Sequence, residues 1–195
     1  MHRLQQRSLT LLLLGLVGYI LVRQFAVLSG DPTVALPAPQ ARDAFQVDVT
    51  LPDTHGQQIR LAALRGRPVL LNFWATWCAP CREEIPSMQA LYERYHPRGL
   101  ALLAIAHDEG GEAVVAPFLR AYKVTFPVLL DPQNVVSAQL QLSGIPTTYV
   151  LDKRGRIAGV VLGARDWNTS HIHQLLEQLL AEDESLPTPW GQSLH

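Results

Sequence analysis

Residues Val69 to Trp74 (VLLNFW) form a nearly unbroken apolar run, and shortly after it come two cysteines, Cys78 and Cys81, separated by Ala79 and Pro80. A strand that is apolar along its length, rather than alternating, is covered on both faces, so this run predicts a central strand of a helix-flanked sheet. The composition of Arg82 to Tyr95 predicts a helix directly afterwards, with Pro86 expected to kink it. The chain thus leaves a buried strand, passes two cysteines and enters a helix.

The surrounding elements alternate in the same manner. Phe45 to Thr50 and Gln57 to Leu61 read as a strand pair about the turn at Asp53 to Gly56, and Leu100 to Ala106 as a second buried strand. Glu112 to Tyr122 reads as helix, Val128 to Leu130 as a short strand and Asn134 to Leu142 as a short helix. Thr147 to Leu151 and Ile157 to Val161 form a predicted hairpin about Asp152 to Gly155. His171 to Ala181 closes the domain as a helix, with Asn168, Thr169 or Ser170 available as its cap. This order predicts an α/β fold with a mixed central β-sheet flanked by helices. There is no internal repeat.

The domain is expected to span residues 44–184, followed by a tail, 185–195, carrying Pro187, Pro189 and Gly191. Before it, residues 29–43 contain Pro32, Pro37 and Pro39 among small residues and read as an extended linker. Residues 1–28 read as an N-terminal transmembrane signal-anchor. Leu9 to Leu28 is predominantly apolar and, as a helix, reaches about 30 Å, the thickness of a bilayer's hydrocarbon core. Arg3 and Arg7 precede the run and favour a cytoplasmic N-terminus, while Arg23 near the far end can snorkel to the headgroups. The rival reading is a cleaved signal peptide, with Val27-Leu28-Ser29 as a tolerable cleavage triplet. Both readings carry the remaining chain across the membrane. The net charge of −1 and the scattered basic residues exclude the electrostatic footprint of a nucleic-acid binder.

The cysteine spacing limits the chemistry. A stabilising disulfide gains most from closing a long loop, and here two residues intervene, so a redox or metal role is the better account. Zinc needs four ligands, and no second cysteine pair or His-x3-His run exists. Placement at a helix start favours redox work. The first helical turn presents unpaired N–H groups and the positive end of the macrodipole. A thiolate at Cys78 is stabilised there, and its pKa is expected to fall below that of a free cysteine. Cys81, one turn later, is placed to resolve a mixed disulfide by attacking Cys78. Pro80 presets φ in the first turn.

These residues resemble the active site of the thioredoxin superfamily, and more closely that of the TlpA/ResA/DsbE-type membrane-anchored thiol–disulfide oxidoreductases. The resemblance rests on Phe73-Trp74-Ala75-Thr76-Trp77-Cys78-Ala79-Pro80-Cys81, on Gly144-Ile145-Pro146-Thr147-Thr148, on Phe126-Pro127-Val128 with Asp131, and on Asp152-Lys153-Arg154-Gly155. It implies a thioredoxin-like fold, a redox-active disulfide between Cys78 and Cys81, and no cofactor or metal. It also implies a cis peptide bond before Pro146. Sequence alone argues for trans, because about 5–6% of X–Pro bonds in folded proteins are cis. A cis bond would let the backbone of Ile145 pair with an extended substrate beside the disulfide, with Trp77 and Pro80 completing the contact surface. Where thioredoxin carries a buried aspartate in the central strand, this chain has Asn72, which cannot exchange a proton. The resemblance assigns proton transfer instead to a glutamate three residues past the second cysteine, here Glu84; adjacent Glu83 competes, and a solvated glutamate is the plain alternative. The implied activity is reduction of protein disulfides in the periplasm, in apocytochrome c among other targets, with electrons from a transmembrane donor.

Three competing functions share the fold. A thiol oxidase would use the same motif in the opposite direction. A thiol peroxidase requires Pro-x3-Thr-x2-Cys, and here Thr76 lies two residues before Cys78 with Leu71 at the proline position. A copper-binding assembly protein would place three residues between its cysteines. His107 follows the strand Leu100 to Ala106, at the edge where ligands often sit in α/β sheets; it is expected to be a plain loop residue, with lining the site as the alternative, and His171 and His173 are expected to be solvated. Trp74 is expected in the core, and no role attaches to Trp167 or Trp190.

Overall fold

A computed structural model describes residues 42–182 of the 195-residue chain. The expected transmembrane segment 1–28, linker residues 29–41 and the tail 185–195 lie outside the described residues. No helix among the described residues is long and apolar enough to cross a membrane.

Among the described residues, seven strands and four α-helices follow one another. They are β1 (Thr50–Pro52), β2 (Gln58–Arg60), β3 (Val69–Trp74), α1 (Ala79–Tyr95), β4 (Ala101–Ala106), α2 (Glu112–Tyr122), β5 (Val128–Leu130), α3 (Val135–Gln139), β6 (Thr147–Leu151), β7 (Ile157–Leu162) and α4 (Ser170–Ala181). The main sheet has the order β5-β4-β3-β6-β7. β3 runs parallel to β4, and β4 to β5, whereas β6 is antiparallel to both β3 and β7. The sheet is therefore mixed, as expected. Every residue of β3, β4, β5 and β6 is buried, which is why these strands read as apolar runs rather than alternations.

Near the start of the domain the expected strand pair about Asp53 to Gly56 forms, but its first strand is shifted towards the turn. β1 is short and forms a separate two-stranded sheet with β2. Phe45 is held by the β6–β7 hairpin instead, whereas Val49 still accepts the Leu61 N–H at 3.0 Å. The Phe45 N–H donates to the Gly155 carbonyl at 3.0 Å, the Phe45 ring meets Tyr149 edge-on at 5.7 Å, and Ala44 bridges Arg156. α1 begins three residues before the compositional signal, because Cys78 caps it, and Pro86 lies inside it. α3 is shorter than expected. Asp131 caps it by accepting the Val135 and Val136 N–H groups at 2.9 Å each, and Gln141 beyond it has φ of 51°.

The hairpin turn is built by Asp152. Its Oδ1 accepts the backbone N–H groups of Arg154 and Arg156, both at 2.9 Å, as an Asx turn does. Gly155 closes the turn at φ of 72°, a left-handed conformation that costs glycine nothing. The Asp152 Oδ2 accepts from Arg42 at 3.2 Å, and Arg42 also forms two bonds to Glu182 at 2.7 and 2.8 Å. One buried guanidinium therefore joins the hairpin turn to the residue following α4.

Candidate active site

β3 delivers the chain to the site. Past Trp74 the backbone turns, and Cys78 becomes the N-cap of α1 with extended dihedrals (φ −80°, ψ 106°). Its Sγ accepts the Cys81 N–H at 3.3 Å, filling the capping position normally taken by a serine or aspartate oxygen. Ala79 and Pro80 occupy the first two helical positions, where a missing proline N–H goes unnoticed. Cys78 and Cys81 are joined as a disulfide. Cys78 is the more accessible, with 5% of its surface exposed against 1% for Cys81, so a partner thiol meets Cys78 first.

The segment between β3 and α1 is held from two sides. Asp108, following β4, accepts the Thr76 N–H at 3.0 Å and the Thr76 hydroxyl at 2.5 Å. Arg82 reaches back from α1 to the Thr76 carbonyl at 2.9 Å. Opposite the disulfide, the Ile145–Pro146 bond is cis, in agreement with the resemblance and against the trans expectation of sequence alone. The Ile145 carbonyl oxygen lies 3.9 Å from Cys78 Sγ. Trp77 stands 66% exposed at the rim, whereas Trp74 is 2% exposed in the core, as expected. A groove of about 750 Å³ runs beside them, lined by Thr76, Trp77, His107, Asp108, Gly144 and Ile145 among others.

Glu84 is no surface residue. It is 2% exposed, while adjacent Glu83 is exposed. Its Oε1 accepts from Asn72 Nδ2 at 2.9 Å; its Oε2 accepts from the Trp167 indole N–H at 2.9 Å and from the Arg165 backbone N–H at 3.4 Å. Burial raises its pKa above the usual carboxylate value, and the bonds from Trp167, Asn72 and Arg165 act against that rise. Asn72 Nδ2 also donates to Thr148 Oγ1 at 2.9 Å, so β3, β6 and α1 meet at this amide.

Two further expectations need correction. His107 is not a plain loop residue: it is half-buried in the groove wall, and its Nε2 has no partner among the described residues. Burial holds its pKa below the ordinary histidine value, against the pull of Asp131 and Asp108. His171 and His173 are likewise half-buried rather than solvated, with the His173 ring 3.0 Å from both Tyr95 Oη and Asn168 Oδ1. Trp167, which carried no expectation, is 1% exposed and bonded to Glu84. One signal marks it in the sequence: a large aromatic between Asp166 and Asn168, in an otherwise polar stretch, is seldom left in water.

Comparison with known proteins agrees with this geometry. The AhpC/TSA family matches residues 43–160. The thiol-disulfide oxidoreductase ResA of Geobacillus thermodenitrificans is 35% identical over 179 residues, covering 91% of this chain and 97% of that protein. ResA of Bacillus subtilis is 32% identical over 169 residues, covering 87% and 89%. Among solved structures, a putative thiol:disulfide interchange protein DsbE from Chlorobium tepidum superposes with a TM-score of 0.65 at 26% identity, covering 75% of this chain and 99% of that one. StoA from Bacillus subtilis superposes with a TM-score of 0.57 at 26% identity, covering 69% and 97%. Relatives of one activity thus extend over nearly the whole chain, and it belongs to the ResA-type thiol–disulfide oxidoreductases of the thioredoxin-like AhpC/TSA family.

Proposed function

We propose that this oxidoreductase is a membrane-anchored, periplasm-facing reductant of protein disulfides, with Cys78 as nucleophile, Cys81 as resolving thiol and Glu84 as the acid–base group serving Cys81. The observation that carries the proposal is the seat of Glu84. A buried carboxyl stands one helical turn after Cys81, on the face that Cys81 also occupies, with its pKa lifted by burial. A group lifted in this way exchanges protons nearer neutral pH than a solvated carboxylate does.

In the reduced enzyme, the Cys78 thiolate attacks a substrate disulfide. A Cys78–substrate S–S bond forms and one substrate sulfur leaves as thiolate. Cys81 then passes its proton to the Glu84 carboxylate and attacks Cys78 Sγ as thiolate. The mixed disulfide breaks, the second substrate sulfur departs, and the enzyme is left with the Cys78–Cys81 disulfide seen in this structure. The substrate has gained two electrons from the enzyme, Glu84 gives its proton to a departing substrate thiolate or to water, and a dithiol donor must reduce the Cys78–Cys81 disulfide before the next turnover. Trp77, Pro80, Ile145 and Pro146 form the surface on which the substrate lies, its backbone pairing with that of Ile145.

Glu84→Gln tests the proton step. The wild-type rate of mixed-disulfide resolution should show an inflection above the ordinary carboxylate range, and the variant should lose it; superimposable profiles would remove Glu84 from the mechanism. Stability should respond with a definite sign. A carboxyl whose folded pKa is raised favours the fold below its unfolded pKa, near 4.5, and that advantage disappears as pH rises through the folded value. Wild type should therefore lose stability relative to Glu84→Gln over that window.

The reductive direction and the location rest on the resemblance, on Arg3 and Arg7 ahead of the apolar run Leu9 to Leu28, and on the fact that a reductant in an oxidising compartment needs a donor across the membrane. Apocytochrome c is one target class that the resemblance supports. Alkylation of spheroplasts with a membrane-impermeant maleimide tests both points. The Cys78–Cys81 pair should be found reduced and reactive from outside, on protein that stays in the membrane pellet after an alkaline wash. A pair held oxidised at steady state would reverse the direction, and release into the soluble fraction would remove the anchor.

A further inference from the structure

We propose that Trp167 is a positioning residue of this site: by donating its indole N–H to Oε2 of Glu84 it fixes the carboxyl and leaves Oε1 as the atom that takes up and releases the proton. The inference rests on the proposed role of Glu84 and concerns what makes that role specific to one oxygen.

The argument is one of hydrogen-bond capacity. A carboxylate oxygen offers two in-plane lone pairs. Oε2 receives two donors, the Trp167 indole N–H at 2.9 Å and the Arg165 backbone N–H at 3.4 Å. Neither donor can accept a hydrogen bond in return, so neither will accommodate a proton placed on Oε2. Oε1 receives one donor among the described residues, Asn72 Nδ2 at 2.9 Å, and keeps a lone pair for a proton.

Trp167 is also held so that it follows the active-site helix. It lies between β7 and α4, far from Glu84 in sequence, yet its own backbone N–H donates to Ser87 Oγ on α1 at 3.0 Å. That hydroxyl in turn donates to the Glu84 carbonyl at 2.8 Å. Trp167 is thus tied to α1 at two points, once through its backbone and once through its indole, and is 1% exposed. The other groups facing Glu84 are few. The charged one is Arg165, whose guanidinium lies 5.9 Å from the Trp167 ring centre and favours the carboxylate. From α1 itself the titratable neighbour is Cys81, and β3 and β6 contribute the neutral Asn72 and Thr148.

Trp167→Phe in the full-length protein keeps most of the aromatic bulk and removes the donor. A hydrogen bond to a charged group is lost from the ionised form, so the pH midpoint of mixed-disulfide resolution should move up by about one unit. In a Glu84→Gln background the same substitution should move nothing. A shift of equal size in both backgrounds would overturn the inference and leave Trp167 a packing residue. A Trp167→Phe profile matching wild type, where Glu84→Gln differs, would overturn the inference alone. A Glu84→Gln profile matching wild type would defeat the reading of Glu84 and this inference with it. An independent readout needs no tryptophan variant. The Trp167 indole N–H resonance in 15N-labelled wild-type protein should titrate with Glu84 and become pH-independent in Glu84→Gln. A resonance that stays fixed while Glu84 titrates would overturn the proposal even if Trp167→Phe fails to fold.

Discussion

Cys78→Ser is expected to lose disulfide-exchange activity by about a thousandfold or more, and Cys81→Ser to accumulate a stable mixed disulfide with its target. The two substitutions separate chemistry from folding unusually well. Serine is at least as good an N-cap as cysteine, so Cys78→Ser should keep α1 and its capping bond, now from Oγ to the Cys81 N–H. The covalent link spans three residues of sequence, and closing so short a loop contributes little conformational entropy to stability. What is lost is the nucleophile, because a serine hydroxyl is not ionised near neutral pH without a base beside it. In Cys81→Ser the first attack proceeds at Cys78 and the second cannot, so the adduct persists until an added dithiol releases it. Non-reducing gels of the full-length variants after exposure to oxidised protein substrate provide the measurement. Adducts on Cys78→Ser and none on Cys81→Ser would reverse the assigned roles. Turnover by Cys78→Ser would end the mechanism.

Much of this site is legible in the sequence, for a physical reason. A strand buried on both faces must be apolar throughout, and a cysteine at a helix start must face the open first turn; both constraints are local. β5 and β6 fell where their apolar runs placed them, and β3 and β4 likewise. The choice of Glu84 over Glu83 comes from the resemblance, and the structure supplies its physical basis. Cys81, Glu84, Ile85, Met88, Leu91 and Tyr95 are the buried residues of α1, and their spacing follows one helical stripe that Glu83 leaves.

The remainder depends on contacts that no local pattern records. Trp167 meets Glu84 across 83 positions of sequence, through a loop with no regular period. His107 follows a buried strand as many loop residues do, and only the packing of Trp77 and Ile145 around the groove turns it into a wall. The strand expected at Phe45 to Thr50 is shifted for the same kind of reason. Its alternation was real, but its first residues meet the distant β6–β7 turn, and the neighbouring strand is paired only by the end of the segment. Asn72 illustrates the opposite case. Its inability to exchange protons was evident from its chemistry, and the structure shows it donating to the carboxyl beside it instead.

Asp152→Ala is expected to destabilise the domain by about 3–5 kcal/mol, because it strips a buried guanidinium of one partner and a hairpin turn of its acceptor. The carboxylate and the Arg42 side chain are each 1% exposed. Oδ2 accepts from Arg42 and Arg156, while Oδ1 accepts two backbone N–H groups that alanine would leave unanswered inside the turn. Arg42 would keep Glu182, whose side chain is 23% exposed and therefore compensates less well. For a domain of this size the loss corresponds to a fall in melting temperature on the order of 10 °C. The hairpin in question carries the site at its other end: Pro146 precedes β6, and Arg165 and Trp167 follow β7. If the turn acts by holding the hairpin shut rather than by shaping the site, well below its melting temperature the variant should retain the wild-type rate and pH profile of disulfide exchange. A pH profile displaced in fully folded Asp152→Ala would show that the turn also sets the geometry of Glu84, through Trp167. An unchanged melting temperature would mean that the Arg42–Asp152 pair contributes nothing net to the fold.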